Sequence, residues 1–147
     1  MNANLSMLKT YRFADLFEGL EESFNLTLNP QNLQEFSALS GDTNPLHTDP
    51  SYAQEKGFKD CVVHGMLHSA YYSRLVGMHL PGKYALFQGI KVAFKNPLYA
   101  PADLRVWGKI THCNASFKTI EISAGIDALI GGGLCVSRAK LQVGLLV

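Results

Sequence analysis

Apolar and polar residues alternate one by one along several stretches of the chain, which is the period of a β-strand with one buried face. The first stretch covers residues 21–28, and the others lie in the second half. Their apolar members are Ile90, Val92 and Phe94; Leu104, Val106, Gly108 and Ile110; and Ile120, Ile122, Ala124 and Ile126. In the last strand, over residues 134–145, the alternation changes parity near Ser137-Arg138. A β-bulge there would keep one face buried.

Helical signals fill the first half of the sequence. Asn29-Pro30 is typical of a helix start, and Gly41 of a helix end. The residues that share the apolar face between them are Leu33, Phe36 and Leu39. Asp49-Pro50 repeats the start signal and predicts a short helix over residues 51–56. Between the two helices, Asn44-Pro45 predicts a turn.

Residues 65–79 contain one formally charged side chain, Arg74. A helix that is apolar nearly all round is a buried one. The order of strand, helix, loop, long helix and consecutive antiparallel strands therefore predicts an α+β fold, in which a curved sheet wraps around a buried helix. Residues 1–20 are weakly patterned and predict an N-terminal arm, so residues 1–147 are expected to form one domain.

Composition narrows the classes of function. The chain has 147 residues, and its 13 Lys+Arg against 12 Asp+Glu are scattered, so no basic stripe suits a nucleic acid. No apolar run approaches the length of a membrane span, and the first residues lack the pattern of a signal peptide. Cys61, Cys113 and Cys135 lie in apolar or strand-like contexts, which is typical of reduced thiols. We expect a cytoplasmic protein without nucleic-acid or membrane partners.

The polar loop over residues 41–47 carries an acid, Asp42, and a base, His47, five positions apart. A turn at Asn44-Pro45 would bring carboxylate and imidazole together around one water. A carboxylate fixes the tautomer of a neighbouring imidazole and makes it a better proton acceptor. The residues alone leave open a second interpretation, in which Asp42 is a turn residue and His47 a surface imidazole.

Other apparent motifs fail on their context. Residues 77–83 fit the start of a phosphate-binding loop, but Tyr84 replaces the metal-binding Ser or Thr. His64 and His68 have the spacing of a zinc protease, but Gly65 stands where the general-base Glu would be. The glycines at 131–133 precede a strand and predict a hairpin turn. No metal site is predicted.

Four segments carry a specific resemblance: FSALSGDTNPLHTD at 36–49, HGML at 64–67, LPG at 80–82 and FKNPLY at 94–99. From residue 21 to the C-terminus the chain resembles the MaoC-like dehydratase family, in particular its (R)-specific enoyl-CoA hydratases. The resemblance implies a hot-dog fold, in which the sheet wraps the long helix, and a homodimer. It also implies a hydro-lyase of fatty acid metabolism without metal or redox cofactor. The reaction would be reversible hydration of trans-2-enoyl thioesters of CoA or acyl carrier protein to (R)-3-hydroxyacyl thioesters.

The resemblance also implies roles for individual residues. It places the catalytic pair at Asp42 and His47, on a loop that overhangs a substrate tunnel. It places the helix-start amide of Gly65 at the thioester carbonyl, where a free N–H group would stabilise an enolate oxygen. Ser73 would be a supporting polar residue inside the tunnel, or alternatively a serine bonded to the carbonyl four residues back. At the helical rise it lies roughly 12 Å from Gly65, too far to share the oxyanion.

Two departures and two alternative functions remain at this stage. Ala102 replaces a glycine that the family usually has before the Asp. His68 is unfamiliar at its position, and it either lines the tunnel and shifts substrate preference or is a core histidine. The alternatives to a hydratase are an acyl-CoA thioesterase and a non-catalytic module that binds acyl thioesters.

Overall fold

The computed structural model describes residues 7–147, and its five strands form one antiparallel sheet. The strands are β1 (Glu21–Leu28), β2 (Ala85–Phe94), β3 (Ala102–Asn114), β4 (Thr119–Ala128) and β5 (Leu134–Leu145). Their order across the sheet is β1-β3-β4-β5-β2, so β1 and β2 are the edges. Each stretch of alternating sequence is confirmed as a strand.

Among residues 7–147, four α-helices accompany the sheet: α1 (Pro30–Ser40), α2 (Pro45–Thr48), α3 (Pro50–Glu55) and α4 (Gly65–Arg74), which continues as a π-helical turn over Leu75–His79. Only α2 was not predicted, because Asn44-Pro45 was interpreted as a turn alone. The Asn44 side chain accepts the N–H of Leu46 at 2.9 Å, much as Asp49 accepts the N–H of Ser51 at 3.0 Å to start α3. The acid–base loop therefore contains one helical turn, and this turn carries His47.

The core lies between α4 with its π-helical turn and the inner face of the sheet. Its largest fully buried side chains include Tyr72, Leu75, Leu104, Ile110, Ile120, Ile122, Ile126 and Leu141. The predicted bulge is confirmed: the β4–β5 register shifts between Ile126 and Asp127, so that Val136 and Ser137 are both buried. The Ser137 hydroxyl pairs with that of Tyr72 at 2.7 Å, which satisfies both buried groups.

Some predicted burial is not found. Leu39 is 87% exposed, because α1 turns Leu33 and Ser37 inward instead. The helix over residues 65–79 is not buried all round, since the face with Met66, Ala70, Ser73 and Gly77 is exposed. On β2, Ile90 and Phe94 are 47% and 53% exposed, because this strand is at the sheet edge.

The described part of the N-terminal arm lies against the core. Thr10 bridges to Gly82, and the N–H of Gly19 donates to the carbonyl of Ile110 at 2.8 Å. The partly buried apolar side chains of the arm that pack against the core are Tyr11, Phe13, Leu16 and Leu20. The first six residues of the predicted arm lie outside the described residues. Within 7–147, no helix is both long and apolar enough to cross a membrane.

Candidate active site

The loop after α1 carries Asp42 in a fixed backbone conformation. α1 ends at Gly41, whose φ of 79° lies in the left-handed region, where glycine avoids the steric cost of a Cβ. The N–H of Asp42 donates to Ser40 Oγ at 3.1 Å. The Oδ1 atom of Asp42 accepts the N–H of Asn44 at 3.2 Å. The side chain itself is exposed. The carboxylate is therefore held in place and still accessible to water.

His47, in the single turn of α2, has a defined tautomer. Its Nδ1 lies 2.6 Å from the carbonyl oxygen of Val62, and the Val62 N–H donates to the carbonyl of Leu46 at 3.1 Å. Because a carbonyl only accepts, Nδ1 carries the proton and Nε2 keeps a free lone pair. In its neutral form the ring therefore presents a base at Nε2.

His64 supports both members of the pair. Its ring is 1% exposed and stacks on that of His47, with centroids 3.9 Å apart and planes at 23°. Nε2 lies 3.1 Å from the backbone carbonyl of Asp42 and 3.1 Å from Ser37 Oγ, so it donates to the carbonyl. Nδ1 is buried without a hydrogen-bond partner in the described chain. Burial is the main cause that lowers the pKa of His64, and nearby His47 lowers it further.

Three polar groups converge at this point. One carboxylate oxygen of Asp42, one ring nitrogen of His47 and one of His64 lie within 4.8 Å of one another, a spacing that one bridging water can span. A carboxylate and two imidazoles also suit a divalent metal. However, the Nε2 of His64 is hydrogen-bonded and its Nδ1 is enclosed by protein. Only Asp42 and His47 remain as accessible ligands, fewer than the three of a catalytic zinc site.

Gly65 begins α4, so its amide is one of those that have no intrahelical partner. An ideal Cβ at Gly65 would lie 2.6 Å from Cε2 and Cζ of Phe94. Glycine therefore leaves room for the Phe94 ring, which packs where a side chain would stand. The open amide and the positive end of the helix dipole form a place for a developing negative charge.

A cavity of about 300 Å³, which we call the His47–Gly65 cavity, brings the base and this amide to one space. Its lining consists of His47, Phe58, Val62, Val63, Gly65, His68, Phe94, Lys95, Asn96, Pro97 and Leu98. A second cavity of about 300 Å³ borders the other side of His47, between α1 and α3. His47 therefore stands between two spaces, and the first is mostly apolar.

Of the four predicted site residues, Ser73 alone is remote from this arrangement. It is exposed and does not line the His47–Gly65 cavity. The reason is its position on α4, where Tyr72, Leu75 and Val76 occupy the side that meets the sheet. In this chain the structure does not bring Ser73 into a tunnel with Gly65.

Two residues of the site were missed by sequence reasoning. Both lie in segments that carry the family resemblance, but His64 was given a role only as a possible metal ligand, and Ser37 was given none. A signal existed for each: His64 directly precedes a helix start, and Ser37 lies four residues after Leu33, on the buried face of α1. Neither signal states the partner, which depends on how α1, α2 and α4 meet.

A five-stranded antiparallel sheet around a central helix, with an acid–base loop beside the helix start, defines a hot-dog protein of α+β class. Residues 17–129 match the MaoC like domain, and the chain belongs to this family. The predicted family and fold are thereby confirmed.

Individual relatives give the same family. The chain is 40% identical over 76 residues to an (R)-specific enoyl-CoA hydratase of Aeromonas caviae, covering 52% of this chain and 57% of that one. It is 37% identical over 86 residues to the (R)-specific enoyl-CoA hydratase of Rhodospirillum rubrum, covering 58% and 60%. These alignments span less than two thirds of either relative.

Solved structures match over more of the chain. An R-hydratase from Pseudomonas aeruginosa superimposes with a TM-score of 0.85 and 25% identity, covering 94% of this chain and 87% of that one. The Aeromonas caviae (R)-hydratase gives 0.82 and 28%, covering 88% and 97%. The structural similarity therefore covers most of the chain.

Proposed function

We propose that the protein catalyses the reversible hydration of a trans-2-enoyl thioester of CoA or acyl carrier protein to the (R)-3-hydroxyacyl thioester. The observation that carries the proposal is the cavity that His47 and Gly65 line together, with a carboxylate oxygen of Asp42 within 4.8 Å of a ring nitrogen of His47. The names of the similar hydratases support the same reaction.

In this mechanism Asp42 and His47 hold one water between them. The water oxygen attacks C3 of the enoyl group, and one of its protons passes to Nε2 of His47. The π electrons move towards the carbonyl and form an enolate, and the proton on His47 is then delivered to C2. Because one base takes and returns the proton on the same face, hydrogen and hydroxyl add syn.

Gly65 stabilises the enolate in the same scheme. The thioester carbonyl accepts the Gly65 N–H, and the helix dipole favours the negative charge that develops there. The amide is fixed before the reaction, so its dipole does not have to reorganise when the charge forms. No step requires a metal or redox cofactor.

The test follows the loss of conjugated enoyl absorbance with crotonyl-CoA and longer chains. Replacing either residue that holds the water, as in Asp42→Asn or His47→Gln, should lower kcat about a hundredfold or more, since positioned acid–base groups contribute about 10²–10⁴. Wild-type activity that both variants retained would refute the mechanism. Release of free CoA thiol without a hydroxyacyl product would show a thioesterase, and acyl-thioester binding without turnover would show a binding module.

We also propose that the active form is a homodimer that covers the β2 edge. Leu86, Ile90 and Phe94 on this strand are 50%, 47% and 53% exposed, and Met66 on α4 is 63% exposed. An edge strand with apolar side chains is a natural pairing surface. Phe94 also lines the His47–Gly65 cavity, so a second copy against β2 would help to enclose it.

Light scattering after gel filtration tests the dimer. Ile90→Lys should give a monomer, because it places a charge in the proposed interface. Phe117→Lys is the matched control: Phe117 is 78% exposed and lies in the turn between β3 and β4, two strands that do not pair with β2. Equal masses for Ile90→Lys and the wild type would exclude this interface.

We infer that the protein works in the cytoplasm. Cys61, Cys113 and Cys135 are all unpaired, which suits a reducing compartment. Fractionation of cells with an antibody to the protein tests the location.

A further inference from the structure

His68 lies one helical turn beyond Gly65 on α4, and both line the His47–Gly65 cavity. Its ring is 3% exposed and meets the Phe94 ring edge-on, with centroids 5.3 Å apart and planes at 85°. At the helical rise it is about 4.5 Å further along the helix axis than Gly65. With the thioester carbonyl at Gly65, His68 therefore lies beside the acyl chain beyond its reacting carbons.

The His68 imidazole is a hydrogen-bonding group in apolar surroundings. Apolar residues that line the same cavity include Phe58, Val62, Val63 and Leu98. Its Nδ1 is buried and has no hydrogen-bond partner within residues 7–147. Burial lowers the pKa of His68 to about 4, so near neutral pH the ring is uncharged and offers one donor and one acceptor. Buried polar groups rarely lack a partner. Because His68, unlike His64, lines the His47–Gly65 cavity, a ligand in that cavity supplies the partner once the ring turns towards it.

We propose that His68 is a specificity-determining residue that hydrogen-bonds a polar group on the acyl chain. The preferred substrates would be enoyl thioesters that bear a hydroxyl or carbonyl oxygen a few carbons beyond the double bond. This inference rests on the proposed hydratase function. An unsubstituted alkyl chain would leave the buried imidazole unpaired, and sites built around a hydrogen bond discriminate against ligands that lack it.

The test separates binding from turnover. Calorimetry compares hexanoyl-CoA, which cannot be hydrated, with its 5-hydroxy and 6-hydroxy derivatives, and kinetics compare the matching trans-2-enoyl thioesters. Of the two hydroxylated ligands, the one that binds better should bind the wild type about tenfold more tightly than hexanoyl-CoA does, which is the effect of one extra hydrogen bond. The matching enoyl thioesters should show a similar ratio in kcat/KM. His68→Leu should lose this preference, whereas His68→Gln, which keeps a donor and an acceptor, should retain most of it.

His79→Leu is the matched control. His79 is also buried, at 5% exposure, and stacks on Phe24 at 4.7 Å, but it does not line the His47–Gly65 cavity. This variant should keep the wild-type ratio, and thermal unfolding checks that each variant folds. Equal affinity of the wild type for both kinds of ligand would overturn the inference, even if His68→Leu were unfolded. A binding preference without hydration of any enoyl thioester would support the role of His68 and refute the hydratase function.

Discussion

Gly65→Ala isolates the role of the α4 start. An ideal Cβ at this position lies 2.6 Å from Cε2 and Cζ of Phe94 and 3.0 Å from Cδ2. Comfortable carbon contacts are about 3.5–4.0 Å, so the ring or the helix start has to move by about 1 Å. Gly65 does not have a positive φ, so the alanine backbone itself is not strained.

The expected effects on stability and on rate differ. Alanine gains up to about 1 kcal/mol over glycine in a helix, and overpacking costs about 1–3 kcal/mol. Phe94 is 53% exposed and can yield in part, so the net change in the free energy of unfolding should be within about 2 kcal/mol. A catalytic donor displaced by about 1 Å costs roughly a hundredfold in rate. We therefore expect kcat to fall ten- to a hundredfold in a protein that is still folded.

The assay measures kcat and KM for crotonyl-CoA hydration beside thermal unfolding. The double variant Gly65→Ala/Phe94→Ala removes the ring that the new methyl group meets, and should recover most of the lost kcat relative to Phe94→Ala alone. Wild-type kcat in Gly65→Ala would refute the assignment of the Gly65 amide. A double variant as slow as Gly65→Ala would show that contact with Phe94 is not the cause.

His64→Phe should keep a ring stacked on His47 but lose the donor to the Asp42 carbonyl, so we expect kcat to fall about tenfold or more at similar KM. An unchanged kcat would exclude a positioning role for His64. The free energy of unfolding in urea should fall as pH decreases from 6.5 towards 4. The reason is that burial lowers the pKa of folded His68 to about 4, so the unfolded chain binds a proton at a pH where the folded chain does not. The full loss in the free energy of unfolding is about 3 kcal/mol. If His68→Leu left the pH dependence of this free energy unchanged, the explanation would be wrong. Gly125→Ala should destabilise the sheet by about 1–3 kcal/mol, seen as a lower Tm, because its Cβ would lie 2.6 Å from Cζ2 of Trp107.

Local signals in the sequence predicted most of the fold. Cap-plus-proline pairs at Asn29 and Asp49 start α1 and α3, and the parity change near Ser137 marks the bulge. These features depend on a few neighbouring residues, so the sequence states them directly. The same pair at Asn44 also starts a helix, which shows that the signal was stronger than the turn interpretation allowed.

Burial and side-chain partners were harder to predict, because they depend on distant segments. Periodicity put Leu39 on the apolar face of α1, but no element within residues 7–147 covers it and it is 87% exposed. Ser37, a polar residue in the pattern, is buried because His64, 27 positions away, reaches its hydroxyl. The exposed face of α4 that carries Ser73 shows the same limit, since an apolar sequence predicts that a helix is buried but not which of its faces another element covers.

The chemistry assigned to the acid–base loop is positioned from outside the loop. The Val62 carbonyl fixes the His47 tautomer, and His64 holds the Asp42 backbone and stacks on His47. Gly65 follows with the amide proposed for the carbonyl. The N–H of Val63, between them, donates to the Leu98 carbonyl at 2.8 Å, which ties this segment to the chain after β2. Residues 62–65 therefore orient the proposed base, the proposed acid and the proposed oxyanion donor together, so a one-residue change of length there would disturb all three.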